Sequence, residues 1–184
     1  MNTETFLLPV RDNIMLRFIR PDEAEELYKL VDENRAYLRK WLDWVDDQRS
    51  PEASRANILK RIAQAEHGET LDLGIYHGGK LIGSMGFNKI VAKSKRAEIG
   101  YWLAEEHEGK GIMTDCARAM LAYGFEELHL HRIEIHCGIT NEKSAAIPER
   151  LGFRQDGVLR DASFLYDHFE SSKVFSQLEH EWKK

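Results

Sequence analysis

The chain has 184 residues, of which 42% are hydrophobic and 31% charged, with a formal net charge of −5 and a pI near 5.9. That balance describes one globular domain with a substantial core. The acidic excess argues against nucleic acid as a partner, since such a surface calls for basic residues.

No apolar run approaches the roughly 18 residues of a membrane span. Residues 1–20 lack the basic-then-apolar layout of a signal peptide. Cys116 and Cys137 lie inside apolar patterns, as the reduced thiols of a cytoplasmic protein do. Residues 1–184 therefore read as a single cytoplasmic domain with no membrane partner.

Residues 13–20 predict a strand, with Ile14, Leu16 and Phe18 alternating. Pro21-Asp22 ends it, and Glu23, Glu25 and Glu26 load the first turn of a helix whose apolar face is Ala24, Leu27 and Val31. Leu38, Trp41, Leu42 and Val45 fall at i, i+3, i+4 and i+7 and predict a second helix. Ser50-Pro51 starts a third, with serine as N-cap and proline in the first position. Leu59, Ile62 and Ala63 are its expected buried side.

A period of two then takes over. Leu71, Leu73 and Ile75 alternate, His77-Gly78-Gly79-Lys80 makes a two-glycine hairpin turn, and residues 81–91 return as a strand. Residues 97–103 complete an antiparallel meander. A helix follows over roughly residues 112–128, with Ile112, Cys116, Ala119, Met120 and Tyr123 on one side. Residues 132–137 form a further strand, Asn141 caps a short helix reaching Arg150, and two strands close the chain near residues 154–164 and 171–177. This order gives an α/β (α+β) fold with a mixed, mostly antiparallel seven-stranded sheet flanked by helices. The helix between the fourth and fifth strands makes those two parallel.

Between the fourth strand and its helix stands Glu108-Gly109-Lys110-Gly111-Ile112-Met113-Thr114. Two glycines one residue apart let backbone N–H groups converge. The first helical turn adds unpaired N–H groups and the positive end of the macrodipole. Lys110 adds a positive charge, and the whole makes an anion pocket suited to phosphate. It is not a P-loop, because Gly111 stands where serine or threonine is needed, nor a dinucleotide fingerprint, because Thr114 stands where the third glycine belongs. The plain alternative is a turn that merely starts a helix.

Three further motifs join this loop: Ala97-Glu98-Ile99-Gly100-Tyr101-Trp102-Leu103, Asn141-Glu142-Lys143-Ser144 and Glu149-Arg150-Leu151-Gly152-Phe153. Together they resemble the GNAT N-acetyltransferases, and within them the RimJ/RimL-like branch that modifies the N-termini of ribosomal proteins. The resemblance covers residues 11–182 and reaches the turn at Tyr166-Asp167-His168. It implies acetyl-CoA as cosubstrate, with the fourth and fifth strands splayed at a bulge and pantetheine lying in the gap. Backbone groups of Ile99, Tyr101, Trp102 and Leu103 would hold that arm, and Glu108, Gly109, Lys110, Gly111, Ile112, Met113 and Thr114 the pyrophosphate. The family loop runs Arg/Gln-x-x-Gly-x-Gly/Ala. Gly111 matches it, while Glu108 removes a usual charge partner and Met113 brings bulk.

Asn141 and Ser144 match an Asn-x-x-Ser in which the asparagine contacts pantetheine and the serine is a proton donor to sulfur. Locally they are also an N-cap and the third helical residue. Pro148, four residues after Ser144, cannot donate to its carbonyl and should distort the helix there. By resemblance, Glu98 and Asp156 are the alternatives for general base. Their plain alternatives are a surface carboxylate paired with Arg96 and an Asp-Gly turn or bulge.

Trp41 and Trp44, with the nearby acids, form a prospective acceptor wall, joined by Tyr101 and Tyr166; core packing is the plain alternative for each. His129, His131 and His136 raise the question of a metal; His129 and His131 could share a strand face, but no third ligand follows at a recognisable spacing, so no metal is expected. Cys137 has no base nearby in sequence, which disfavours an acyl-enzyme. The resulting expectation is direct acetyl transfer to a protein N-terminal amine. The alternatives are a small amine as acceptor, or a CoA-binding module without turnover. A homo-oligomer is compatible with either.

Overall fold

The computed structural model of the protein describes residue 3 and residues 5–182. The chain runs through β1 (Leu7–Arg11), β2 (Ile14–Arg17), α1 (Ala24–Glu33), α2 (Arg35–Leu38), α3 (Pro51–Glu66), β3 (Leu71–His77), β4 (Lys80–Val91) and β5 (Arg96–Leu103). It continues through α4 (Ile112–Ala122), β6 (Arg132–Gly138), α5 (Glu142–Arg150), β7 (Arg154–Leu165), β8 (His168–Leu178) and α6 (Glu179–Trp182). One sheet gathers every strand in the order β1-β2-β3-β4-β5-β6-β8-β7. Every neighbouring pair is antiparallel except β5 and β6, which are parallel. No helix among the described residues is long and apolar enough to cross a membrane.

The sheet has eight strands rather than seven. The additional one, β1, carries Pro9, which cannot donate to a ladder and is tolerated at an edge. Short and proline-bearing, it lacks the pattern by which a strand is recognised.

The second predicted helix is also broken. α2 ends at Leu38, Leu42 is extended (φ −127, ψ 121), and residues 43–47 form a 3₁₀ turn. The apolar spacing did mark burial, because Leu38 and Val45 are fully packed. The path between them is set by Arg35, whose guanidinium donates to the carbonyls of Val45 and Gln48, both at 2.7 Å. Likewise, the helix after the glycine loop is α-helical only to Ala122 and finishes in a π-turn over residues 123–127. Gly124 is pressed there against Ile133 and Phe87, where a β-carbon would clash.

Each face of the sheet has its own apolar layer. On one, α4 and α5 cover Leu73, Met85, Phe87, Ile99, Ile133 and Ile135 with Cys116, Met120 and Ala145. On the other, Leu27, Val31, Leu38, Val45 and Ile58 pack against Tyr76 and Leu81. Each such large side chain contributes about 1.5–3 kcal/mol by leaving water. The second layer is pinned at its edge by Arg17, which donates to both Glu23 oxygens (2.8 and 2.6 Å) and stacks 3.7 Å from the Tyr76 ring centre. Burial pushes the Glu23 carboxyl up, but hydrogen bonds from Arg17 and the Arg20 N–H outweigh it and hold that group below the usual carboxylate range.

Candidate active site

β5 and β6 part company halfway along. They pair only where residues 96–99 meet residues 132–135. Beyond that point, residues 100–103 stay with β4, while residues 136–138 stay with β8. Each strand is drawn toward its outer neighbour, so the facing edges are left open. A bulge in β4 at Asn88, between the pairs Phe87–Ile99 and Lys89–Glu98, lies at the same level; a bulge bends its strand and increases its twist. Gly100 fits against that bulge, because a β-carbon there would run into the Asn88 side chain. The resulting cleft has a volume of about 1190 Å³ and reaches from the glycine loop to the face carrying Glu98 and Trp102.

The loop forms one end. Gly109 (φ 71) and Gly111 (φ 74) are both left-handed, and Gly111 is the N-cap of α4. No hydrogen bond among the described residues uses the backbone N–H groups of residues 109–114. These amides are available, as a backbone anion site requires. Arg11 of β1, which also lines the cleft, braces the loop, donating to Asp115 Oδ2 (2.6 Å) and to the Lys110 carbonyl (3.0 Å). Lys110 folds back so that Nζ donates to the Glu106 carbonyl at 2.8 Å.

Both departures from the family loop have a structural explanation. Met113 is 9% exposed and belongs to the core, so its bulk is directed inward. The Glu108 carboxylate accepts from the Tyr37 hydroxyl and, at 2.6 Å, from Lys143 Nζ. It thus ties α2 to α5 across the mouth of the cleft. Burial raises its proton affinity, but Lys143 and Tyr37 hold it below the ordinary range.

Asn141 Oδ1 accepts from the Ser144 N–H at 3.1 Å, capping α5, and Ser144 lies on the cleft wall. Tyr101 Oη lies 3.1 Å from Ser144 Oγ and 3.1 Å from the Ser144 carbonyl. The Cys137 thiol borders the same spot; burial pushes it up to about 11, a poor setting for a nucleophilic thiolate.

Glu98 also lines the cleft. Its ion-pair neighbour is His136 rather than Arg96, with Nδ1 3.9 Å from the carboxylate. His136 Nε2 is 3.0 Å from Glu134, which accepts from Arg132 at 2.6 Å. Arg132 in turn holds Asp156 at 2.6 Å.

Two expected site residues lie elsewhere. Asp156 is outside the cleft lining, at the far end of this ion-pair chain, with its carboxyl held below the usual range by Arg132. It sits at the β7 bulge, between Gln155 and Gly157. Tyr166 is also outside the lining. Its hydroxyl donates to the Leu42 carbonyl at 2.7 Å, and its ring lies beneath Arg39, so it anchors the segment that carries Trp41 and Trp44. Trp41 and Trp44 do line the cleft, and the Trp44 ring centre lies 6.0 Å from that of Trp102. Arg11 and Tyr37 had no local signal in the sequence, and Lys143 and His136 stood out only for other reasons, because each acts through a partner on another element.

The family model of the acetyltransferase (GNAT) domain matches residues 13–154. YdaF of Bacillus subtilis, assigned by name to the ribosomal N-acetyltransferases, is 35% identical over 181 residues, covering 97% of this chain and 98% of its own. The ribosomal-protein-serine acetyltransferase of Escherichia coli is 30% identical over 176 residues, covering 96% and 97%. The solved structure of RimL, a ribosomal L7/L12 α-N-protein acetyltransferase in complex with coenzyme A, superposes with a TM-score of 0.91 at 27% identity, over 94% of this chain and 98% of that one. The chain belongs to the GNAT N-acetyltransferases, in their RimJ/RimL-like branch.

Proposed function

We propose that this protein moves the acetyl group of acetyl-CoA directly onto the N-terminal α-amine of a protein, and that the acceptor is a ribosomal protein. The observation that carries the proposal is the cleft itself. It is lined by the unengaged amides of residues 109–114, by Ser144 and by Glu98, with an open strand edge along β5.

Acetyl-CoA supplies an acyl group activated as a thioester. The amides of residues 109–114 would hold its pyrophosphate, aided by Lys110. Backbone groups of Tyr101 and Leu103 on the open edge, with Ile99, Trp102 and Asn141 beside them, would hold the arm. Glu98 takes the proton from the incoming ammonium and becomes a neutral carboxyl, with His136 Nδ1 3.9 Å away. Ser144 gives its hydroxyl proton to the departing sulfur, and the second proton that the amine nitrogen sheds on acylation restores it by way of solvent.

Trp41, Trp44 and Trp102 offer apolar walls, and the carboxylates of Asp47, Asp72 and Glu98 favour an ammonium in the same cleft. A ribosomal acceptor is supported by the names of the relatives, and a cytoplasmic location fits such an acceptor. Acetyl-CoA consumption with N-terminal peptides and with small amines tests the reading, alongside mass spectrometry of the N-terminal proteome with and without the protein. Peptide turnover and loss of acetylation on a ribosomal N-terminus are expected; turnover confined to small amines refutes it.

A further inference from the structure

Pro148 lies inside α5, four residues after Ser144. A proline has no N–H, and its ring crowds the carbonyl four residues back. The Ser144 carbonyl therefore loses its regular helical donor at the wall of the cleft. Tyr101, arriving from β5, brings one: its hydroxyl lies 3.1 Å from that carbonyl and equally 3.1 Å from Ser144 Oγ.

A phenol has a single proton to give. Burial raises the proton affinity of Tyr101 well beyond the ordinary tyrosine range, so the proton stays on the ring oxygen. Donated to the carbonyl, it leaves that oxygen as an acceptor, and Ser144 O–H becomes the donor. Serines within helices otherwise turn their hydroxyls back onto a carbonyl three or four residues earlier.

We infer that Pro148 and Tyr101 together aim the Ser144 hydroxyl: the proline vacates the carbonyl, the tyrosine proton fills it, and the tyrosine oxygen holds Ser144 O–H at the cleft wall. Tyr101 is a positioning residue in this arrangement and neither gains nor loses a proton. A thiolate forming beside Ser144 is a stronger acceptor than a neutral phenol, so the hydroxyl turns from one to the other. The inference rests on Ser144 as donor to the sulfur.

A double-mutant cycle separates orientation from packing. Tyr101→Phe should lower kcat about tenfold while changing the acetyl-CoA dissociation constant by less than about twofold. It should also lower the melting temperature, because the Ser144 carbonyl loses a donor. Pro148→Ala returns a helical N–H to that carbonyl. In the Pro148→Ala background, the melting-temperature cost of Tyr101→Phe should shrink, and Pro148→Ala alone should lower kcat, because the tyrosine proton is released from the carbonyl and can face Ser144 Oγ instead. A Pro148→Ala enzyme that keeps full kcat means that Tyr101 only supports the helix, and the inference fails.

In the Ser144→Ala background, Tyr101→Phe should cost no further kcat. A further tenfold loss there overturns the inference and spares the role of Ser144. An unchanged kcat in Ser144→Ala alone overturns that role itself.

Discussion

Replacing Gly111 with valine isolates what the backbone contributes to cosubstrate binding. Gly111 has φ 74 and ψ −2, where a non-glycine residue costs roughly 1–2 kcal/mol and a β-branched one is an outlier. Space is not the obstacle, since a β-carbon would meet nothing nearer than Arg11 Nη1 at 3.9 Å. The free variant relaxes out of the left-handed region, and binding has to restore it. That strain alone weakens affinity about 5- to 30-fold. One misdirected amide toward a charged phosphate removes a further ~1.5–3 kcal/mol, bringing the loss to about two orders of magnitude or more.

Lys110→Ala removes a solvent-facing charge already hydrogen-bonded to the Glu106 carbonyl. Its effect should be only a few-fold and should fade as salt rises. Titration calorimetry with acetyl-CoA at low and high ionic strength reads both variants. A larger loss from Lys110→Ala than from Gly111→Val would refute the account of binding by main-chain amides.

Ser144→Ala should lower kcat by about 10²-fold with acetyl-CoA affinity nearly unchanged; single-turnover kinetics beside direct binding measurements checks this. Glu98→Gln should abolish the acidic limb of the kcat/KM profile, whereas Asp156→Asn, altering a carboxylate outside the cleft and bound to Arg132, should retain it. The reverse pattern in pH–rate profiles would reassign the base. Stability should fall in acid partly through Glu23. Its folded-state proton affinity is depressed, so the stabilisation is full above the unfolded carboxyl value near 4.3 and is lost as pH drops through the lower folded value. Urea melts from pH 7 to pH 3 should show a shallower decline for Glu23→Gln than for the parent.

Features with a local cause are written in the sequence. The strand alternations, the turn at Gly78-Gly79, the Ser50-Pro51 start and the Asn141 cap each depend on neighbours a few residues apart. The glycine loop belongs with them, because left-handed glycines and free first-turn amides come from the backbone alone. The order of elements also implied that β5 and β6 would be parallel.

What required the tertiary structure was decided by partners distant in the chain. β1 exists because an edge of the sheet accepts its proline. The segment after α2 follows the reach of Arg35 rather than helical periodicity. Glu108 could not be understood before Tyr37 and Lys143 were found on either side of it, 71 and 35 residues away. Asp156 and Tyr166 fit their motifs by spacing, yet the fold turned one to Arg132 and the other to the Leu42 carbonyl. A side chain takes the best partner available in three dimensions. Spacing along the chain identifies that partner only when helix or strand geometry brings the two together.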